Sequence, residues 1–185
     1  MQLIAPEKIF RGNGAWLKAL PHIKKVSSRP LLLGRSLSTN NIRQKVYRDL
    51  HDENLSILSS NLKFDCCFED LERIKNLILK NDCDSIIAIG GGKVLDAGKF
   101  LADSLSIPVI TIPLSASTCA GWTALSNIYS INGQFIKDIE LKSCPKMLIL
   151  DHGFIKTAPK RTLASGIADA LAKWYESSLT SSKVE

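Results

Sequence analysis

The glycine run Gly90-Gly91-Gly92 separates a short apolar segment, residues 85–89, from a segment with helical apolar spacing, residues 93–105. A short apolar run closed by glycine is typical of a buried strand, and the periodicity that follows is typical of a helix packed on a sheet. Gly98 lies on the apolar face of this helix, where it would let the helix approach the sheet closely. The pattern restricts the chain to folds built from βαβ units around a parallel sheet.

The rest of the chain repeats this alternation, which predicts an α/β fold. Further strands are predicted at residues 30–34, within 55–62, at 108–112 and at 147–150, and helices over 39–50, from 68 onward and from 157 onward. Asn132-Gly133 predicts a tight hairpin in which both central residues take positive φ, and Asp151 predicts the N-cap of a short helix.

The glycine turn is the first candidate site. Glycines between a strand and a helix leave backbone N–H groups free at the positive end of the helix dipole, where a phosphate binds. Lys93 could add its charge to the same anion or be a solvated first-turn lysine. Val94 stands where a P-loop has Ser or Thr, and no third glycine completes G-x-G-x-x-G. The spacing alone leaves a plain strand-to-helix turn and a phosphate site equally open.

A second candidate site follows the predicted strand at residues 108–112. Its loop carries the small polar side chains Ser115, Ser117, Thr118 and Cys119. Ligands of open parallel sheets bind beyond the carboxyl ends of the strands, so this loop and the glycine turn should share one crevice. A serine or cysteine nucleophile is the alternative, but the loop has no G-x-S-x-G elbow and no assigned base.

Composition argues against several classes of function. The five cysteines, an odd number without a C-x-x-C pair, fit neither a disulfide framework nor a zinc site, so reduced thiols are expected. The net charge of +6 is spread along the chain without aromatic interleaving, which argues against nucleic acid as a partner. Without a long apolar run or a visible secretory signal, we expect a cytoplasmic protein with no membrane partner.

The histidines and two acids give weak signals when taken alone. His22, His51 and His152 fall near predicted helix ends or loops, and no pair has i, i+4 spacing, so surface or capping roles are expected. Asp96 lies one turn into the helix after the glycines, where an acid also suits the helix dipole. Asp169 is offset from the apolar face of the last helix, which predicts a solvated carboxylate. That apolar face consists of Leu163, Ile167, Ala170, Leu171 and Trp174.

Three segments of the chain occur in a specific order: GGGKVLDAGK (90–99), PLSASTCAGWTALS (113–126) and ASGIADALAKWYE (164–176). Together they resemble the iron-containing alcohol dehydrogenase family, specifically its glycerol dehydrogenase branch, over nearly the whole chain. In that family an N-terminal α/β domain binds NAD(P) and an all-helical C-terminal domain binds a divalent metal. The resemblance implies a Rossmann-like nucleotide-binding domain over residues 1–156 and the first helix of a truncated helical metal-binding domain over 157–185.

The resemblance also implies site residues. Asp169 matches the first metal ligand of the family, against the solvated role that its position alone predicts. Cys119 and Trp122 would shape the substrate end of the site. Cofactor contacts are implied for Gly90, Gly91, Gly92, Lys93, Val94 and Asp96 at the turn, for Ile112, Pro113, Leu114 and Ser115 on the nicotinamide side, and for Thr123, Leu125 and Tyr129.

The sequence departs from the family's pattern in three places. Cys119 replaces an aspartate that contacts the polyol in glycerol dehydrogenases, and its segment looks more like the hydroxycarboxylate dehydrogenase A subgroup, which reduces 2-oxo acids. Arg35 stands where an NAD enzyme places an acid for the adenosine ribose diol; an arginine would pair with a 2′-phosphate, which favours NADP. The family's two histidine metal ligands have no counterpart here, and a catalytic ion normally needs about three protein ligands.

The implied activity is reversible hydride transfer between NAD(P) and the CH–OH group of a small polyol or 2-hydroxy acid, with a divalent metal, Zn or Fe, polarising the substrate oxygen. A homo-oligomer is compatible with this reading. We expect the 185-residue chain alone to be inactive. Two alternatives stay open: a 3-dehydroquinate synthase-like lyase, which shares the architecture, NAD use and metal, and a non-catalytic protein that only binds dinucleotide.

Overall fold

The computed structural model describes residues 5–181. Its strands are β1 (Lys8–Gly12), β2 (Pro30–Gly34), β3 (Leu58–Asn61), β4 (Ser85–Gly90), β5 (Val109–Pro113), β6 (Leu125–Tyr129), β7 (Phe135–Glu140) and β8 (Met147–Asp151). Its helices are α1 (Ala15–Ile23), α2 (Asn40–Asp52), α3 (Phe68–Lys80), α4 (Gly92–Leu105), α5 (His152–Ile155) and α6 (Lys160–Ser181). No helix within these residues is both long and apolar enough to cross a membrane.

Six strands form one parallel sheet in the order β1-β8-β5-β4-β2-β3, which confirms the α/β prediction. Every residue of β2, β4 and β5 is buried, as expected for central strands covered on both faces. One core layer contains apolar residues of α1 and α2, and the layer on the opposite face contains those of α3 and α4. A Cβ added to Gly98 would lie 2.5 Å from the Ala88 Cβ, so α4 approaches β4 as closely as predicted.

The order of the strands creates a crevice at the carboxyl edge of the sheet. From β2 the chain moves outward to β3, whereas from β4 it moves in the opposite direction to β5. The helices that follow β2 and β4 therefore lie on opposite faces of the sheet. The loops after β2 and β4 separate at this point, which is where open α/β sheets bind ligands.

Two elements at the start of the chain were not predicted. Strand β1 is at the edge of the sheet and alternates between exposed and half-buried residues, so it lacks a continuous apolar run. Helix α1 begins after Gly14, whose φ is 69°, and contains Pro21. Glycine and proline at these positions conceal the helical spacing of Trp16, Ala19, Leu20 and Ile23, all of which are buried.

The predicted hairpin is present, but its turn differs from the predicted type. Strands β6 and β7 pair antiparallel, apart from the six-stranded sheet, with an irregular register at Tyr129. Of the two central residues, only Gly133 has positive φ, at 81°. The turn is longer than two residues, since Ser130 N donates to Gln134 O and Gly133 N donates to Ser130 O. Longer loops need one left-handed residue rather than two, which makes the predicted tight turn wrong.

The last helix, α6, rests on the sheet domain through a close contact of backbone atoms. A Cβ added to Gly166 would lie 1.7 Å from the Ala116 carbonyl oxygen.

Asp151 caps α5 by accepting hydrogen bonds from Gly153 N and Phe154 N, as predicted. The domain boundary at residue 156 stays a prediction. The predicted apolar face of α6 lies at the surface of the described chain, with Leu163, Ile167, Leu171 and Trp174 all more than half exposed.

Candidate functional site

The glycine turn leaves backbone donors at the start of α4. No side chain caps this helix at Gly91. The first amides that bond within it are those of Val94 and Leu95, both to Gly91 O, so the N–H groups of Gly92 and Lys93 precede the helical ladder. A Cβ at Gly90 would lie 3.0 Å from the Val94 Cβ, so a larger residue there would be crowded against the Val94 side chain. These free amides at a helix N-terminus form an anion-binding arrangement.

A pocket of about 280 Å³ lies over these amides. One wall is the glycine turn, residues 90–94, and the other is the loop after β2, which supplies Arg35, Ser36 and Thr39. The pocket therefore occupies the crevice between the loops that follow β2 and β4. Arg35, predicted at the end of β2 from the sequence, lies in the same pocket as the glycines.

Lys93 points its ammonium group at a buried carboxylate rather than into open solvent. Its Nζ donates to Asp65, whose side chain is 5% exposed, and lies 4.3 Å from the centre of the Tyr129 ring. Arg35 Nη1 lies 3.7 Å from the other oxygen of the same carboxylate. Burial, followed by the nearby Asp96 and Asp65 carboxylates, raises the pKa of the Tyr129 hydroxyl. The Asp65 carboxylate thus lies close to both Lys93 and Arg35, the two cations that line the pocket.

The loop after β5 meets the glycine turn, as the sequence predicts. Leu114 N donates to Gly90 O at 3.0 Å, and a Cβ at Gly92 would lie 3.2 Å from Thr118 Cγ2. Ser115 and Ser117 face each other with their hydroxyl oxygens 3.0 Å apart. The two candidate sites are therefore adjacent at the carboxyl edge of the sheet, each with its own cavity.

A larger cleft of about 760 Å³ continues from this loop to α6. It is lined by Ser115, Cys119 and Trp122 from the loop and by Asp169 from α6. The Asp169 side chain is 47% exposed and lies 4.0 Å from Lys173 Nζ. Residues that the sequence did not single out for this place also line the cleft, namely Arg11, His152 and Lys173.

Asp96 lies in the core and does not line the pocket over the glycine turn, so its cofactor contact stays a prediction. The residue is 4% exposed, and its carboxylate lies 3.0 Å from Lys99 Nζ. Burial raises the pKa of Asp96, and the Lys99 ammonium opposes that shift. The side chain faces the core because position 96 falls on the buried side of α4.

Several other predicted contacts lie away from the two cavities. Lys99 Nζ donates hydrogen bonds to the carbonyl and hydroxyl oxygens of Thr123 and to the carbonyl oxygen of Leu125. These bonds fix the segment that contains Thr123 and Leu125 to α4. Ile112 and Leu114 are buried in the core, so only their backbone atoms can face the crevice. Cofactor contacts by these residues stay predictions.

The histidines lie near helix ends, where the sequence predicts them, and the five cysteines differ in burial. All five cysteines are unpaired, and Cys66, Cys67 and Cys83 are buried. Burial raises the pKa of the Cys66 thiol to about 12, which makes it unreactive at neutral pH. The three histidines lie in the terminal turns of α1, α2 and α5. Within residues 5–181, no three His, Cys, Asp or Glu side chains are grouped as a metal site.

Asp65, Arg43 and Lys99 are buried charged residues that sequence reasoning missed, the first two beside the crevice and Lys99 in the core. Asp65 follows a short edge strand without an apolar run, and nothing in its local sequence signals burial. Lys99 and Arg43 are long cations on helices, for which solvent exposure is the ordinary expectation. The helical period places both on buried faces, and that signal could have found them.

The parallel sheet, with a glycine turn at the point where its strand order reverses, defines a Rossmann-like α/β protein. Residues 6–152 match the family described as iron-containing alcohol dehydrogenase. The chain belongs to this family.

Individual relatives agree with this assignment. The chain is 39% identical over 178 residues to an uncharacterized oxidoreductase of Synechocystis, covering 96% of this chain and 46% of that protein. It is 33% identical over 172 residues to glycerol dehydrogenase of Escherichia coli O6:H1, covering 93% and 47%. A segment of 96 residues is 40% identical to hydroxycarboxylate dehydrogenase A of Escherichia coli K12, covering 52% and 26%.

The fold agrees with a solved relative as well. The crystal structure of glycerol dehydrogenase from Schizosaccharomyces pombe superimposes with a TM-score of 0.84 at 28% identity, covering 94% of this chain and 44% of that one. The Synechocystis, Escherichia coli O6:H1 and Schizosaccharomyces pombe matches extend over most of this chain, but the chain spans only about half the length of each relative.

Proposed function

We propose that the chain binds NAD(P) in the crevice between the loops after β2 and β4 and forms the dinucleotide-binding part of an oxidoreductase acting on CH–OH groups. The observation that carries this proposal is the uncapped start of α4, where the amides of Gly92 and Lys93 line a pocket at the switch point of the sheet. Membership of an alcohol dehydrogenase family supports the same function.

In this proposal the backbone of residues 90–94 binds the pyrophosphate, and the Lys93 ammonium, engaged by Asp65 and Tyr129, holds the turn in place. Pro113 at the end of β5 and Ser115 in the loop after it would border the nicotinamide, which supplies the hydride chemistry when bound. Tyr129 is near the turn through its contact with Lys93.

The substrate is proposed to occupy the cleft bordered by Cys119, Trp122 and Asp169. Arg11, Lys173 and Asp169 are the charged residues that line it, and Lys173 is paired with Asp169 and Glu176. Arg11 has no ion pair within residues 5–181, and a cation at the cleft supports an anionic substrate, so a small 2-hydroxy acid is preferred over a polyol. The name of one relative, hydroxycarboxylate dehydrogenase A, is consistent with that preference.

For a divalent metal, we propose one ligand among the described residues. Asp169 would be one ligand, but the residues that the structure describes contain no group of three ligating side chains. About three protein ligands are needed for a catalytic ion, so these residues do not fit one alone. We therefore propose that the 185-residue polypeptide binds dinucleotide but has no turnover by itself, and that Zn or Fe binding needs further protein ligands.

NADP is proposed as the preferred dinucleotide. Arg35 lies in the pocket at the end of β2 with its side chain 38% exposed, where its guanidinium could pair with a 2′-phosphate.

The proposal is tested by titrating the purified polypeptide with NADPH and NADH and following nicotinamide fluorescence. We expect saturable binding that Gly92→Val abolishes, because its side chain would press against Thr118 and displace the backbone amides of the glycine turn. Ser106→Gly, at the other end of α4 where φ is 54°, is the matched control and should bind like the wild type. A folded wild-type chain that binds neither dinucleotide would contradict the function, and turnover with added metal would contradict the predicted inactivity.

A further inference from the structure

Arg43 is a buried guanidinium behind the loop that forms one wall of the dinucleotide pocket. The residue is 6% exposed and lies on the inner face of α2. A Cβ added to Gly34, the last residue of β2, would lie 2.3 Å from Arg43 Cδ, so the arginine fills the space that a side chain at position 34 would need. Two arginines therefore lie at the end of β2: Arg43 packs against Gly34, and Arg35 follows Gly34 in the sequence.

Arg43 has polar partners but no acid. Its Nη1 donates to Ser36 O at 2.7 Å and to Thr39 Oγ1 at 2.5 Å, and its Nη2 lies 3.5 Å from Asn40 Oδ1. Within residues 5–181 it forms no ion pair, and burial lowers its pKa with no opposing carboxylate. Arginine nonetheless keeps its proton in proteins, so a positive charge stays at a position that is only 6% exposed, beside a second cavity of about 480 Å³ on α2.

The position of this charge relates it to the pocket. Ser36 and Thr39, the two residues that Nη1 contacts, both line the pocket over the glycine turn. A carbonyl oxygen carries partial negative charge, and left bare it would repel a phosphate at this wall. Arg43 covers the Ser36 carbonyl and Thr39 hydroxyl oxygens from behind, which leaves the wall electropositive.

The charges around the pocket do not balance. Arg35, Arg43 and Lys93 supply three cations, and Asp65 is the acid that pairs with two of them. No Asp or Glu lines the pocket. An acid that would accept hydrogen bonds from a free ribose diol is missing from this wall, whereas the surplus of positive charge suits an additional dianion.

We propose that Arg43 is a positioning residue for the adenosine 2′-phosphate: it holds the loop of residues 35–39 and supplies a buried charge that makes the pocket select NADP over NAD. Arg35 would make the direct contact, and Arg43 would act through Ser36 and Thr39. This inference rests on the proposed binding of NAD(P) in the crevice.

The experiment compares binding of 2′,5′-ADP (adenosine 2′,5′-bisphosphate) and 5′-AMP to the 185-residue chain by calorimetry, because the two probes differ only in the 2′-phosphate. Arg43→Gln keeps a donor for the Ser36 carbonyl but removes the charge, and Arg43→Lys keeps the charge. Arg48→Gln is the matched control, since Arg48 is an exposed arginine on the same helix whose Nε bonds to Gln44 O. Circular dichroism establishes that each variant is folded.

We expect the wild type to favour 2′,5′-ADP, Arg43→Gln to lose about tenfold in affinity for it while affinity for 5′-AMP changes little, and Arg43→Lys to retain most of the preference. Arg48→Gln should match the wild type. Equal weakening of both probes would mean that Arg43 is only structural, and an Arg43→Gln variant with the full preference would also overturn the proposal. Wild-type binding of both probes with equal affinity refutes the 2′-phosphate site alone, whereas binding of neither probe refutes the proposed function itself.

Discussion

Lys99 Nζ lies 3.0 Å from Asp96 Oδ1 in the core, and the two side chains are 1% and 6% exposed. The same ammonium group donates to the carbonyl oxygens of Thr123 and Leu125, so one lysine joins α4 to the segment that leads into β6. A buried charge of this kind is stable only while its partners remain, because water cannot replace them.

Lys99→Met should lower the free energy of unfolding by about 3 kcal/mol or more, since it leaves the Asp96 carboxylate buried without its cation. Denaturant unfolding measures this. Lys80→Met, at an exposed position in the last turn of α3, is the control and should change stability by less than about 0.5 kcal/mol. Adding Asp96→Leu to Lys99→Met should recover part of the loss, and equal effects of the substitutions at positions 99 and 80 would contradict this account.

Asp84 should make the protein sensitive to acid. Burial alone would raise the pKa of its carboxyl, but hydrogen bonds from Ser28 N, Ser27 Oγ and Arg29 N outweigh burial and hold the pKa below its ordinary value of 3.8. A lowered pKa stabilises the folded state at pH values above 3.8, and this contribution is lost as pH falls through the folded-state pKa.

Asp84→Asn is therefore expected to lower the free energy of unfolding by about 1 kcal/mol at pH 7. At pH values below the folded-state pKa of Asp84, the substitution should change this free energy little. Urea midpoints across the acid range give the comparison. Asp82→Asn, which removes a neighbouring exposed acid, serves as the control. If the wild type and Asp84→Asn differed in stability by the same amount at every pH, the Asp84 carboxylate would not be the source of the acid sensitivity.

The cysteines should react in the order of their exposure. Cys119 is exposed at the large cleft, whereas Cys66, Cys67 and Cys83 are buried and burial raises the pKa of Cys66 to about 12. Brief treatment of the native protein with iodoacetamide should modify Cys119 first, because a thiolate in contact with solvent is the reactive species. Peptide mass spectrometry locates the modified residue, and Cys119→Ser should lose most of the early label. Early modification of Cys66 in a folded sample would contradict the structure.

Gly166→Ala should destabilise the docking of α6, although alanine normally favours a helix over glycine by about 1 kcal/mol. The reason is the contact with the Ala116 carbonyl oxygen, which leaves no room for a Cβ. Limited proteolysis of α6 and far-UV circular dichroism detect the change. Ser165→Ala, at the exposed neighbouring position, should be neutral or stabilising. A Gly166→Ala variant as resistant to protease as Ser165→Ala would show that α6 is not held at this point.

Sequence patterns predicted the centre of the fold better than its edges. Strands β2, β4 and β5 are buried on both faces, so each is a continuous apolar run that can be read directly. Edge strand β1 has no such run, and Pro21 interrupts the apolar spacing of α1. The carboxyl ends of β4 and β5 also predicted correctly that the two candidate loops meet, because a parallel sheet brings those ends to one edge.

The polar residues were harder to predict because their partners are distant in sequence. Asp65 is 28 residues from Lys93 in the sequence, and Lys99 is 26 residues from Leu125. A local pattern gives no sign of such pairs, and so Asp96 was expected at the crevice when its carboxylate is in the core. The rule that charged residues are rarely buried fails at Asp96, Lys99 and Arg43, where hydrogen bonds compensate the loss of water.

The opposite placement of α2 and α4 has a consequence for unfolding. The loops that face each other across the crevice lead into helices belonging to separate core layers on the two sides of the sheet. A molecule held between these loops would contact both of them at once, so unfolding of either helix that follows them would release it. Occupancy of the crevice should therefore raise the melting temperature of the whole sheet domain and sharpen its transition, rather than merely protecting the two loops.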